Sequence, residues 1–279
     1  MQKEKLLICT FSGGRTSAFM CVMLKEHPKY KAFDKVFIFA NTGKERPETL
    51  DFINKCDKNF NLKIVWLEAD IKKTKGLGTN YKIVNYKTAS RNGEPFVEMC
   101  KKYPLPNNVA SNCTRELKLA PINKFIKSLN YKKNYTAIGI RHDEKHRQSN
   151  TAIEQNIIYP LINDLPVDSE FIRNWWERQA FDLELKDYEG NCDLCFKKSL
   201  KKRLTIIKEN PKLASWWLNL EEKYSSEITP RLDLRTNKSI AELIEIAKRP
   251  FTTAQDIHKL NKQQINLFEF ETDCLCKAN

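Results

Sequence analysis

No stretch of this 279-residue sequence comes near the roughly 18 consecutive apolar residues that a membrane-spanning helix needs. The opening residues, Met1-Gln2-Lys3-Glu4-Lys5, run straight into a short apolar segment. They lack the h-region and small-residue cleavage site of a secretory signal, so cytoplasmic residence is the expectation. That argues in turn against a disulfide framework for the nine cysteines. No internal repeat is present. Acidic residues are in deficit: 35 Asp and Glu face 48 Lys and Arg, a formal net charge of +13. The surplus favours an anionic partner, nucleotide or nucleic acid. The lysines are nevertheless spread along the chain, as on a solvated surface.

What is present suits a soluble enzyme-sized fold. At 41% hydrophobic residues the chain can bury a core, and its length allows one large domain or one domain with an appendage. Short apolar runs at Lys5–Phe11, Lys35–Ala40, Lys63–Leu67, Asn134–Ile140 and Ile157–Leu161 read as five strands. Helical segments between them, such as Thr16–Glu26 and the one opening at Pro47, give the βαβ rhythm of a doubly wound parallel five-stranded sheet. Residues 70–112, with Gly76, Gly78, Gly93, Pro95, Pro104 and Pro106, read as a long irregular insertion. From Val167 the pattern turns helical, over Ser169–Gln179, Phe196–Glu209, Lys212–Tyr224 and Ile240–Arg249. The expected division is an α/β nucleotide-binding domain over 1–165 and a helical C-terminal extension over 166–279.

Ligands of such sheets bind beyond the carboxyl ends of the strands. There the sequence places Ser12-Gly13-Gly14-Arg15-Thr16-Ser17, between the first strand and the first helix. Glycines let the backbone approach a ligand closely, and the helix start offers unpaired N–H groups and partial positive charge. The hydroxyls of Ser12, Thr16 and Ser17 add donors, which completes an anion site. A Walker loop is excluded, because no Gly-Lys-Ser/Thr follows. Asn41-Thr42-Gly43 after the second strand and Arg141 after the fourth lie at the same edge.

Phe11-Ser12-Gly13-Gly14-Arg15-Thr16-Ser17 resembles the PP-loop of the adenine nucleotide α-hydrolase superfamily. Four further segments resemble the phosphoadenosine phosphosulfate (PAPS) reductase family within it. They are Asn41-Thr42-Gly43-Lys44-Glu45-Arg46-Pro47-Glu48-Thr49; Cys113-Thr114-Arg115-Glu116-Leu117-Lys118-Leu119-Ala120-Pro121; Gly139-Ile140-Arg141-His142-Asp143-Glu144 with Arg147; and Gly190-Asn191-Cys192-Asp193-Leu194-Cys195. The Cys-Phe-Lys-Lys-Ser run from Cys195 is similar to extensions in phage and mobile-element members. The resemblance implies an adenine nucleotide ligand, PAPS, APS or ATP, whose phosphate or sulfate meets Ser12, Gly13, Gly14 and Ser17. Arg141 and Arg147 are then cationic clamps, with Lys118 also reaching the anion; Glu48 caps its own helix. ATP-cleaving members carry an Asp where Thr16 stands, and its absence weakens the case for Mg²⁺.

The cysteines divide. Cys9, Cys21 and Cys56 sit in apolar periodic segments as core fillers. Family reductases bind a 4Fe–4S cluster through a Cys-Cys pair and a CxxC. Here Cys192 and Cys195 match the CxxC and Cys113 the first of the pair, but Thr114 replaces the second; the fourth ligand comes from elsewhere, with Cys100 the favoured candidate and Cys274 or Cys276 the alternative. Zn²⁺ is the alternative metal. Cys274 and Cys276 stand where reductases keep a nucleophilic thiol resolved by a thioredoxin-like reductant. The Gly, Ile and His that flank that nucleophile are missing.

Three functions follow as expectations: sulfonucleotide reduction, ATP-dependent sulfur transfer to DNA or tRNA, or nucleotide binding without catalysis. The basic run Phe196–Arg203 offers a surface for nucleic acid, and Trp216-Trp217 reads as packing.

Overall fold

The computed structural model describes residues 3–72, 74, 76–107, 109–190, 192–226 and 237–256. Cys274 and Cys276 lie outside them. Strands β1 (Lys3–Thr10), β2 (Asp34–Asn41), β3 (Val65–Ile71), β4 (Thr79–Val84), β5 (Tyr131–Ala137) and β6 (Ile157–Ile158) form one sheet. Its order is β4-β3-β2-β1-β5-β6. All neighbours are parallel except β3 and β4, which pair antiparallel.

The sheet therefore has six strands rather than five. The extra one lies in the insertion, which is built rather than irregular. Thr79–Val84 returns along β3, and helix α3 (Glu94–Cys100) follows. Its alternation is weak because, on this outer edge, Ile83 points to solvent while Thr79 is buried.

Helices α1 (Arg15–Glu26) and α2 (Pro47–Phe60) cover one face of the sheet. With Leu7, Cys9, Phe37 and Phe39 they enclose the main core, where Cys9, Cys21 and Cys56 are all buried. That core is completed from downstream by Val167, by Ile172 and Trp176 of α7 (Ser169–Glu177), and by Leu183 and Leu185. On the opposite face a helical run begins as α4 (Asn112–Thr114), widens into a π turn over Arg115–Leu119, and continues as α5 (Ala120–Ser128). Pro121 lacks an N–H for the carbonyl four residues back and would crowd it. A widened turn immediately before it relieves both problems. After the short α6 (Pro160–Asn163), helices α8 (Leu200–Glu209), α9 (Pro211–Tyr224) and α10 (Ile240–Ala247) share a second core with Phe96, Met99, Cys100 and Leu117. The helix expected from Phe196 begins at Leu200, capped by the Ser199 hydroxyl on the Lys202 N–H.

Candidate functional site

At the end of β1 the chain is held to β2 by the Phe11 N–H on the Ile38 carbonyl, 2.8 Å. It then turns through Gly13 at φ +90°, a conformation L side chains avoid. Gly14 occupies the N-cap position of α1, and no side chain caps the helix there. The helix therefore presents N–H groups and dipole to whatever lies beyond. The loop is braced from within. The Ser17 hydroxyl accepts the Ser12 N–H at 3.1 Å, lies 2.9 Å from the Ser12 hydroxyl, and donates to the Gly14 carbonyl at 3.0 Å.

The chain after β5 presses directly on this loop. A Cβ on Gly139 would stand 3.1 Å from the Ser17 Cα, so a larger residue would push the loop back by a few tenths of an ångström. Two residues on, Arg141 Nη1 reaches the Thr16 hydroxyl at 3.4 Å. Its guanidinium also holds Asp143, at 3.0 and 3.1 Å, and Glu144 at 3.4 Å. Arg147 pairs with the same Glu144 at 2.5 Å, and its Nε is buried without a hydrogen-bond partner. The two arginines thus stand side by side across one carboxylate, with Arg141 at the open end of α1.

Arg15 is placed differently from Arg141. Its Nε donates to Asp182 at 2.7 Å and its Nη2 to the Leu183 carbonyl at 2.6 Å, while Trp176 donates to the Arg15 carbonyl at 3.0 Å. The Arg15 guanidinium ties the loop to the segment after α7. Lys118 lies in the π turn, and its charge acts on the Cys113 thiol.

After β2, Asn41 is fully buried and gives its amide to Glu68, 2.7 Å, and to the Ser90 carbonyl, 2.9 Å. Glu68 is equally buried and takes donors from Ser90 and Lys82 as well. Thr42 donates both N–H and hydroxyl to Glu45, and Gly43 turns at φ +77° against Pro95.

The CxxC segment docks on this second loop. Glu45 pairs with Cys192 in a β-bridge, and the Asp193 N–H meets the Lys44 carbonyl at 3.4 Å. Lys44 Nζ and the Asp193 carboxylate form a buried ion pair at 3.0 Å. Trp217 donates to the same carboxylate at 2.6 Å, and the ammonium sits 4.2 Å from the Trp216 ring centre. Arg46 adds a contact to Glu189 at 3.3 Å. Trp217 is core, as expected of the tryptophan pair. The basic run beside it is partly internal: Lys198 and Arg203 are buried, and the Lys198 ammonium caps the Cys192 carbonyl. These two cations are withdrawn from any nucleic-acid surface.

The four cysteines named as metal ligands influence one another. Burial, and then the charge of Cys113, pushes the Cys100 thiol up to about 12. Burial, and then Cys195, pushes Cys113 up to about 11, and the Cys192 thiol is raised by burial and by Cys195. Yet among the described residues no three Cys, His, Asp or Glu side chains form a group that could hold a metal ion. As placed, Cys100, Cys113, Cys192 and Cys195 do not make the ligand set of a cluster or of zinc.

Sequence reasoning missed Asp182, Trp176, Glu68, Ser90, and the pairing of Lys44 with Asp193. Asp193 and Lys44 carried local signals, the one inside the CxxC and the other in the segment after the second strand, but nothing joined them.

A doubly wound α/β protein with an uncapped, glycine-opened helix start beneath an arginine is the class that this fold and site define. The family model for the phosphoadenosine phosphosulfate reductase domain matches residues 6–159. The chain belongs to that family. It is 34% identical over 199 residues to the uncharacterized nin region protein ORF290 of Escherichia phage lambda, covering 70% of this chain and 67% of that protein. It is 27% identical over 234 residues to an uncharacterized protein of Methanocaldococcus jannaschii, covering 80% of this chain but only 43% of the relative. A PAPS reductase from Candida auris, solved with phosphate, aligns at 18% identity and a TM-score of 0.39 over 63% of this chain and 74% of the other.

Proposed function

We propose that this protein binds an adenine nucleotide whose terminal phosphate or sulfate group sits between the Ser12–Ser17 loop and Arg141. One observation carries the reading: Arg141 meets Thr16 at 3.4 Å, at a helix start that no side chain caps. The Gly139 contact that enforces this closeness supports it. Backbone N–H groups, the helix dipole and a guanidinium then converge on one anion. Arg147, behind Glu144, orients that carboxylate and through it Arg141.

The loop itself brings no carboxylate, and those that meet Arg15 or Arg141, namely Asp182, Asp143 and Glu144, are held by arginines. Such a site suits an adenylyl sulfate better than a Mg²⁺-bound triphosphate. Sulfur chemistry on that ligand, most simply sulfonucleotide reduction, is the proposed activity. A thiol for it is sought in Cys274 and Cys276; burial raises the thiols of Cys100, Cys113 and Cys192 and so disfavours their thiolates. No step is assigned to a cluster, since the described cysteines do not assemble one. ATP-dependent sulfur transfer to nucleic acid is the second reading, favoured by the net charge of +13.

Calorimetric titration of the full chain with PAPS, APS and ATP tests the reading, together with mass spectrometry of any co-purifying nucleotide. Binding of a sulfonucleotide, lost in Arg141→Ala, is the expected outcome. Absence of binding by all three ligands removes the nucleotide site. Sulfite release with excess dithiol, abolished in Cys274→Ser/Cys276→Ser, is expected of the reductase.

A further inference from the structure

The loop that opens α1 contains Gly13 and Gly14, so its backbone has many conformations to choose from unless contacts select one. Within the loop the Ser17 hydroxyl ties Ser12 to Gly14. That brace fixes the loop to itself. Its placement against the rest of the molecule depends on outside contacts: Gly139 presses on Ser17, and the segment after α7 grips Arg15.

Residues 181–185 form neither helix nor strand, and their chemistry alternates. Phe181 packs on Phe52 and Phe60, and Leu183 and Leu185 enter the main core. Between them Asp182 meets Arg15 and Glu184 meets Lys55. The apolar side chains anchor this backbone, which leaves the Asp182 carboxylate little freedom. One of its oxygens takes the Leu183 N–H at 2.6 Å and the Arg15 Nε at 2.7 Å. The Leu183 carbonyl takes Arg15 Nη2 at 2.6 Å. One edge of the guanidinium is thus docked in a two-pronged geometry that suits its planar fork. Arg15 is the first residue of α1, and its own carbonyl is held by the Trp176 indole at 3.0 Å. Trp176, Asp182 and Leu183 all lie beyond residues 6–159, the stretch that the family model matches.

We propose that Asp182 is a positioning residue of the nucleotide site, which through Arg15 fixes the opening of α1 where its N–H groups meet the anion. The inference rests on the nucleotide reading given above. A cradle of N–H groups binds tightly when it is ordered before the ligand arrives; otherwise the entropy of ordering the loop weakens binding. The contacts separate the roles of the two arginines. Arg141 stands against Thr16, whereas Arg15 is turned to Asp182 and Leu183 and serves as a tether. The side chains are 15% exposed for Arg15 and 35% for Asp182, so the geometry of the dock matters more than its charge.

Calorimetric titration of the full chain with PAPS, APS and ATP, beside a melting curve for each variant, tests it. Asp182→Ala is expected to raise the Kd at least about tenfold. Asp182→Asn keeps an oxygen acceptor for the Arg15 and Leu183 N–H groups and is expected to recover most of that loss. Glu184→Ala, which removes the neighbouring exposed ion pair, is expected to stay within about threefold of the parent. Arg15→Ala is expected to match Asp182→Ala, and the double variant to be no worse than either, as for two residues acting as one unit. A lowered melting temperature with unchanged Kd in Asp182→Ala overturns the proposal, because it leaves only a structural role. Tighter binding in that variant overturns it as well, because a freed Arg15 is then a ligand contact. Should the parent bind none of the three nucleotides, the nucleotide reading falls, and amide exchange in the unliganded protein judges the tether by itself. The Ala18 N–H, bonded to the Gly14 carbonyl at 3.0 Å, is expected to exchange faster in Asp182→Ala than in Glu184→Ala; equal rates refute the tether.

Discussion

Arg141 is already engaged, by Asp143 and Glu144, so an arriving phosphate competes with two carboxylates for one guanidinium. The contest favours the ligand because the helix start adds N–H donors on the ligand's side only. Arg141→Ala is therefore expected to weaken nucleotide binding by roughly 1.5–3 kcal/mol, the scale of a charge-assisted hydrogen bond, read as a 10- to 150-fold rise in Kd by calorimetry. An unchanged Kd removes Arg141 from the site. Gly139→Ala tests the same geometry from behind. Its new methyl meets the backbone of Ser17, so the loop must move, and affinity is expected to fall while the fold survives, at a stability cost of about 1–3 kcal/mol. Wild-type affinity in that variant means the loop position does not matter. Cys9 gives a pH prediction. Burial raises its thiol to about 12, above the ordinary value of 9.0, so folding favours the protonated form. That contribution is complete below about pH 9 and is lost as pH rises toward 12. Cys9→Ala should flatten the decline of melting temperature across that alkaline window; an unaltered slope assigns the decline to other groups.

Between elements, a buried ion pair joins the loop after β2 to the CxxC segment. Asp193→Ala leaves the Lys44 ammonium buried without its partner and is expected to cost about 3–5 kcal/mol in urea unfolding. Lys44→Met/Asp193→Leu, which removes both charges, should recover most of that loss; a double variant as unstable as the single one would show that packing, not charge, dominates. This tie marks how far the sequence could be read. The glycine loop, the second turn and Arg141 announce themselves because each sits at a strand end, where a short run of residues fixes both position and chemistry. Helix α7 is legible from its apolar spacing, and Asp168 caps it on the Phe171 N–H. Strand β4 is hidden because its edge position leaves Ile83 exposed and its neighbours are glycine-rich. The meeting of Lys44 with Asp193, nearly 150 positions apart, and of Arg15 with Asp182 depends on tertiary packing that no local pattern encodes.

At the scale of the molecule, the proposed nucleotide site gathers N–H donors and a guanidinium at one point of the strand ends. An anion held in that way is screened little. Raising salt from 50 to 200 mM is therefore expected to change nucleotide Kd by less than about threefold; a steep loss in the same titration would place the ligand on exposed lysines instead. The other molecular feature is the reach of the main core into the chain beyond the sheet, through Trp176, Leu183 and Leu185.

That reach sets where this polypeptide can be cut. The indole of Trp176 packs at a 60° tilt against Phe52, 4.8 Å between ring centres, and ties down Arg15, so a fragment stopping at residue 165 keeps its glycine turn but loses the wedge that holds it. Such a fragment should emerge from the ribosome as an aggregate, whereas one carried on to residue 185 retains the wedge, and the difference would be visible in the soluble fraction of a simple expression trial.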